Sequence, residues 1–107
     1  MRIMLACALG MSTGMLMEKM RDYAKSQGKD YKIWAVSADS VDNYTGEFDI
    51  LLLGPQFLFL YEDVKKKFAG IAPVAMIAPV DYGRMNGKAV ILMAEKLWQE
   101  YQDKKAI

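Results

Sequence analysis

Four short apolar runs spaced along the chain constrain its fold most: residues 2 to 6 (RIMLA), 31 to 36 (YKIWAV), 48 to 53 (FDILLL) and 73 to 77 (PVAMI). Each is bounded by Gly, Pro, Ser or Asp and is short enough to read as a β-strand. Three are almost continuously hydrophobic, as a strand covered by helices on both faces requires, whereas 31 to 36 alternates and suits a sheet edge. The pattern predicts a parallel sheet.

The intervening segments have helical period. From Ser12, read as an N-cap, Leu16, Met20, Tyr23 and Ala24 share a face, and Glu18, Lys19, Arg21, Asp22 and Lys25 lie away from it. Gly28 suits the C-terminal stop. Phe57, Leu60, Tyr61, Val64 and Phe68 make a second stripe, with Glu62-Lys66 and Asp63-Lys67 at the i, i+4 spacing of a solvated face. The run Lys65-Lys66-Lys67 belongs to that face in preference to a phosphate-binding patch. Val90, Ala94, Leu97, Trp98 and Tyr101 define a closing helix from near Asn86. Ala38 to Gly46 is polar, with room for one short helix.

Strands alternating with helices give a βαβαβαβ chain, and right-handed crossovers fold it as a doubly wound α/β domain. The expected architecture is one domain over residues 1–107, with a four-stranded parallel sheet in the order 2-1-3-4 and helices on both faces. In that order strands one and three diverge to opposite faces, opening a crevice at their carboxyl ends where ligands bind. Cys7 to Thr13 and Gly54-Pro55-Gln56 reach it.

Composition excludes several classes. With 14 Lys+Arg against 13 Asp+Glu, the net charge of +1 offers no field for nucleic acid or an anionic membrane. The absence of histidine removes Ser-His and Cys-His pairs and most zinc sites. A single cysteine forms no internal disulfide framework and favours a reducing, cytosolic compartment. The apolar N-terminus is not expected to be a secretion signal, because only residues 3 to 6 separate Arg2 from Cys7 and a signal needs about 7 to 15 apolar residues. Ile50 to Tyr61, broken by Gly54-Pro55-Gln56, is too short to span a bilayer. No metal or cofactor is expected.

Cys7 ends the first strand and is followed by Ala8, Leu9, Gly10, Met11, Ser12, Thr13 and Gly14 before the helix. Strand, small-residue loop and helix make an anion-binding arrangement, in which backbone N–H groups, the helix dipole and the hydroxyls of Ser12 and Thr13 converge. Gly10 and Gly14 are expected to permit backbone conformations or approaches that a side chain would obstruct. The same field favours a thiolate with a lowered pKa. Two roles stand open for Cys7, an inert buried hydrophobe and a nucleophile, and its place at the crevice favours the second. Ser12 has two compatible roles, helix cap and phosphate contact.

The loop lacks the Walker and dinucleotide patterns, so nucleotide binding has little support. Cysteine phosphatases place an arginine where Thr13 stands, and without that clamp hydrolysis is disfavoured. A phosphatase-like hydrolase with Asp81 as general acid, and a phosphate-sensing regulatory domain, are the alternatives. A receiver domain needs a carboxylate where Gly54 stands.

The segments C-x-x-G-M-S-T (7–13), D-I-L-L-L-G-P-Q (49–56), P-V-x-x-I (73–77) and D-Y-G-x-M-N-G (81–87) together resemble the IIB component of the lactose/cellobiose (chitobiose) class of the bacterial phosphoenolpyruvate-dependent sugar phosphotransferase system. The resemblance implies four parallel strands with flanking helices. It implies that Cys7 accepts a phosphoryl group from phosphohistidine on a IIA protein and delivers it to a sugar entering through the membrane component IIC, the protein being cytoplasmic or held at the membrane's inner face by IIC. Residues 8 to 13 would then cradle the phosphate. Leu9 and Gly14 depart from the alanine and serine frequent in the family, so position 14 supplies no hydroxyl. Gln56, Asp81 and Tyr82, following strands three and four, are expected beside the loop in supporting or docking roles. Met11, Phe57 and Tyr82 are candidates for an apolar docking rim.

Overall fold

The computed structural model describes residues 1–7 and 11–105, without the Met11 side chain. Strands β1 (Arg2–Ala6), β2 (Lys32–Val36), β3 (Ile50–Leu53) and β4 (Val74–Met76) form one parallel sheet in the order β2-β1-β3-β4, as the apolar runs predict. The alternating run 31 to 36 is indeed an edge. Helices α1 (Met11–Ser26), α2 (Tyr61–Lys67), α3 (Pro79–Gly83) and α4 (Gly87–Lys105) complete the fold with 3₁₀ segments at Ala38–Tyr44 and Pro55–Leu60.

Strand period divides the core in two. Ile3, Leu5, Ile50 and Leu52 point to the face covered by α1 and α4, where they meet Leu16, Met20, Val90, Ile91 and Ala94. Met4, Ala6, Leu51 and Leu53 point to the other face and pack with Val41, Phe48 and Phe68. Both faces of β1 and β3 are therefore dry, which explains their unbroken hydrophobicity. Each fully buried Leu, Ile or Met stabilises the fold by about 1.5–3 kcal/mol relative to exposure. Cys7 continues the β1 alternation and joins the α1/α4 face.

Local chemistry sets the helix ends. Gly28 adopts φ +71° and closes α1, its N–H bonding Lys25 O at 3.0 Å while the Lys29 N–H bonds Ala24 O at 2.9 Å. Asn86 caps α4, its Oδ1 accepting from the Ala89 N–H at 3.1 Å. Ser12 is the second residue of α1 and is exposed, so the expectation that it is the N-cap is corrected. Gly14 likewise lies inside α1, and a Cβ there would meet nothing within 4 Å, so it serves no close approach. Gly10, the other glycine of that expectation, lies outside the described residues.

The expected continuous second helix is broken. Pro55 opens a 3₁₀ segment in which the Phe57 N–H bonds Gly54 O at 3.0 Å, and Phe57 departs from helical dihedrals before α2 begins at Tyr61. The stripe residues Phe57, Leu60, Tyr61, Val64 and Phe68 still face inward to differing degrees, and Leu58 and Phe59, which lie off it, are exposed. Lys65, Lys66 and Lys67 are solvated as expected, but Lys67 Nζ bonds both Asp42 carboxylate oxygens at 3.0 Å in place of the anticipated Asp63.

Candidate functional site around Cys7

The register that pairs Ala6 with Leu53 carries Cys7 and Gly54 side by side past the ends of β1 and β3. Ladder hydrogen bonds continue beyond the strands and fix both: Cys7 N–H to Val36 O at 3.3 Å, Gly54 N–H to Ala6 O at 2.9 Å and Ile77 N–H to Leu53 O at 2.8 Å. Rigid backbone thus presents Cys7 at the carboxyl edge of the sheet, where the β1–β3 divergence opens the fold.

The thiol is 1% exposed. Burial pushes its pKa up to about 11, against the smaller opposing effects of the neighbouring Gly54 backbone and Thr13 side chain. The expected low pKa is therefore corrected: desolvation outweighs both, and the resting group at neutral pH is the protonated thiol.

Thr13, in the first turn of α1, is buried and turns its side chain inward. Its Oγ1 lies 2.9 Å from the Tyr82 hydroxyl of α3, which also receives a bond from Gln56 Nε2 at 3.4 Å. The structure therefore brings together Cys7, Thr13, Gln56 and Tyr82 from four separate segments. Asp81 is half-buried on α3, but the groups acting on the thiol are Gly54 and Thr13, not its carboxylate. Ser12 faces solvent, and Ala8, Leu9 and Gly10 lie outside the described residues, as does the Met11 side chain. Phe57 and Tyr82 of the expected apolar rim are half-buried, while Leu58, Phe59 and Val80 are more exposed.

Gly54 as a close neighbour of the sulfur escaped the motif reading, although one step of strand register beyond Ala6 and Leu53 leads to it. Among the described residues no three His, Cys, Asp or Glu side chains gather as metal ligands.

A family model described as "PTS system, Lactose/Cellobiose specific IIB subunit" matches residues 2–93. The chain is 47% identical over 102 residues to the PTS system galactose-specific EIIB component of Lactococcus lactis subsp. cremoris, covering 89% of this chain and 94% of the relative. It is 39% identical over 88 residues to the oligo-beta-mannoside-specific EIIB component of Bacillus subtilis, covering 81% and 85%. The solution structure of a cellobiose-specific phosphotransferase IIB component from Borrelia burgdorferi matches with a TM-score of 0.79 at 33% identity, covering 94% and 93%. A lactose-specific IIB domain from Streptococcus pneumoniae shares the fold, with a TM-score of 0.77 at 16% identity over 91% and 96% of the two chains. The family match covers most of the chain and the solved relatives share its fold: the chain is a phosphotransferase component and belongs to the lactose/cellobiose-specific IIB family of the sugar phosphotransferase system.

Proposed function

We propose that residues 1–107 act as one phosphoryl-carrying unit in which Cys7 accepts the phosphoryl group from phosphohistidine of a IIA protein and passes it to a sugar, a β-glucoside or disaccharide, imported through IIC. The observation that carries this reading is the placement of the chain's single cysteine at the carboxyl end of β1, beside the segment that opens α1. The cellobiose and oligo-beta-mannoside named for relatives support a β-linked glycoside substrate, and the galactose named for another supports a sugar more generally.

In the loading step the Cys7 sulfur attacks phosphorus in line, the S–P bond forms and the N–P bond breaks, and its electron pair passes to the imidazole nitrogen. The thiol is protonated at rest. Its proton is released as the sulfur bonds phosphorus and balances the imidazole, which needs one to leave as a neutral ring. In the unloading step a sugar hydroxyl oxygen attacks, the S–P bond breaks with its electron pair kept by sulfur, and the hydroxyl proton restores the thiol. Residues 8 to 13 cradle the phosphoryl oxygens beside the N-terminal end of α1, where the helix dipole favours an anion. Positioning and backbone donors supply the catalysis. With no histidine in the chain, the donor imidazole belongs to the partner.

Among the described residues no helix is long and apolar enough to cross a membrane. The protein works in the cytoplasm and meets the membrane through IIC. None of the relatives described above is named as a hydrolase or a sensor, and Thr13 at the clamp position supports transfer over hydrolysis. In a reconstituted system with IIA and IIC membranes, Cys7→Ser should keep the fold and abolish sugar phosphorylation. Retained phosphorylation would contradict the assignment.

A further inference from the structure

Two functional groups border the bare Cα of Gly54. A Cβ built there would stand 3.1 Å from the Cys7 sulfur and 3.0 Å from the Gln56 amide carbon, with Gln56 Oε1 its nearest neighbour. The Gln56 carboxamide thus lies over Gly54, next to the thiol. Cys7 is 1% exposed, whereas Gln56 is exposed, so the amide is the more accessible of the two. Its Nε2 donates to the Tyr82 hydroxyl at 3.4 Å, near the long limit of a hydrogen bond. A carboxamide nitrogen carries two protons, and Tyr82 engages one of them. The other N–H is available to a ligand.

We infer that Gln56 is a catalytic residue of the transfer, its Nε2 donating to a phosphoryl oxygen while phosphorus bonds the Cys7 sulfur. The inference deepens the carrier reading and rests on it. A phosphoryl oxygen stands two bonds from sulfur, within the range at which the carboxamide already lies over Gly54. The transferring group spreads negative charge over its oxygens, and Thr13 stands where cysteine phosphatases hold those oxygens with arginine. Neutral donors have to take that place. Gln56 brings one from the segment after β3, across the crevice from residues 8 to 13, which follow β1. Donors on two sides of phosphorus hold it for in-line attack. Being uncharged, the amide binds less strongly than a guanidinium, which suits a group that must leave again. Gln56 neither gains nor loses a proton: the S–P and N–P bond changes are those of the loading step.

Single-turnover loading from phospho-IIA, followed over a range of IIA concentrations, separates the transfer rate from docking. Gln56→Ala should lower the saturated rate by about tenfold. Gln56→Glu keeps the length but sets a carboxylate against the phosphoryl oxygens, and should lower it further, by about a hundredfold. A purely structural Gln56 would give the reverse order, because glutamate preserves the packing that alanine removes. Tyr82→Phe, which keeps the carboxamide and removes its holder, should slow loading by less than Gln56→Ala. Thermal unfolding checks that each variant is folded. A measurement on the wild-type protein covers the case of a misfolded variant: the Gln56 side-chain amide pair in a ¹⁵N spectrum should shift when Cys7 is phosphorylated. A folded Gln56→Ala protein that loads at the wild-type rate, a Gln56→Glu protein as fast as Gln56→Ala, or a loss confined to the IIA concentration that half-saturates loading would overturn the inference. An amide pair unmoved by phosphorylation would do the same. A wild-type protein that never forms phosphocysteine would contradict the carrier reading and this inference with it, whereas normal wild-type loading with any of the other failures overturns the role of Gln56 alone.

Discussion

Cys7 and Gly54 meet so closely across the ends of β1 and β3 that a Cβ on Gly54 would stand 3.1 Å from the Cys7 sulfur and 3.0 Å from the Gln56 amide carbon. The Gly54 backbone has φ −64° and ψ 151°, which any residue adopts. Space, not backbone strain, demands glycine here. Gly54→Ala should therefore destabilise the protein by about 1–3 kcal/mol through overpacking and push the Gln56 carboxamide away from Tyr82. Urea unfolding measures the first effect, and a midpoint equal to wild type would contradict the packing argument.

Gly87 plays a similar role between helices. A Cβ there would lie 2.7 Å from the Lys19 Cβ and against the Lys19 and Met20 backbone, so the start of α4 crosses α1 in backbone contact. Gly87→Ala should cost about 1–3 kcal/mol. Gly14→Ala, in open space within α1, should leave stability unchanged or raise it by about 0.5–1 kcal/mol. Comparison of the two variants by thermal unfolding checks both, and equal effects would contradict the placement of α4.

The Asn86 cap predicts a smaller loss. Removing Oδ1 in Asn86→Ala leaves the Ala89 N–H without its partner at the start of α4. The expected cost is about 1 kcal/mol. Asn86→Asp should retain most of the stability, and an alanine variant as stable as wild type would exclude the cap.

Burial of Cys7 links stability to alkaline pH. The folded thiol holds its proton up to about 11, whereas an unfolded cysteine loses it near about 8.5. The folded state therefore binds more protons in this window, and stability falls as pH rises. The contribution is fully present below the unfolded pKa and is lost as pH climbs through the folded one. The stability difference between wild type and Cys7→Ala should shift against wild type by on the order of 3 kcal/mol from pH 8.5 to 11. A pH-independent difference would contradict the thiol's burial.

The sheet was legible because both faces of β1 and β3 are covered, which writes Ile3 to Ala6 and Ile50 to Leu53 as unbroken apolar runs. The closing helix was legible from Val90, Ala94 and Leu97 with Asn86 at its start. The break near Phe57 was not, because the stripe from Phe57 to Phe68 fits one helix as well as a 3₁₀ turn followed by α2. Helix α3 has five residues, too few to show a period. In the site, strand order placed Cys7 at the crevice, but Thr13 and Tyr82 meet across 69 residues of sequence and Gln56 joins them across 26, contacts that only the folded chain creates. The thiol's pKa followed from the same limit: the helix N-terminus was visible in sequence, whereas the burial that overrides it was not.

The most direct test of the account is intact-protein mass spectrometry at neutral pH after incubation with phosphoenolpyruvate, the two general relay proteins and a phosphorylatable IIA partner. The account predicts one phosphoryl adduct, mapped to Cys7 and discharged when IIC membranes and the cognate sugar are added. A protein that stays unmodified with several competent IIA partners while its Cys7 thiol remains intact, or an adduct mapped to another residue, would contradict it.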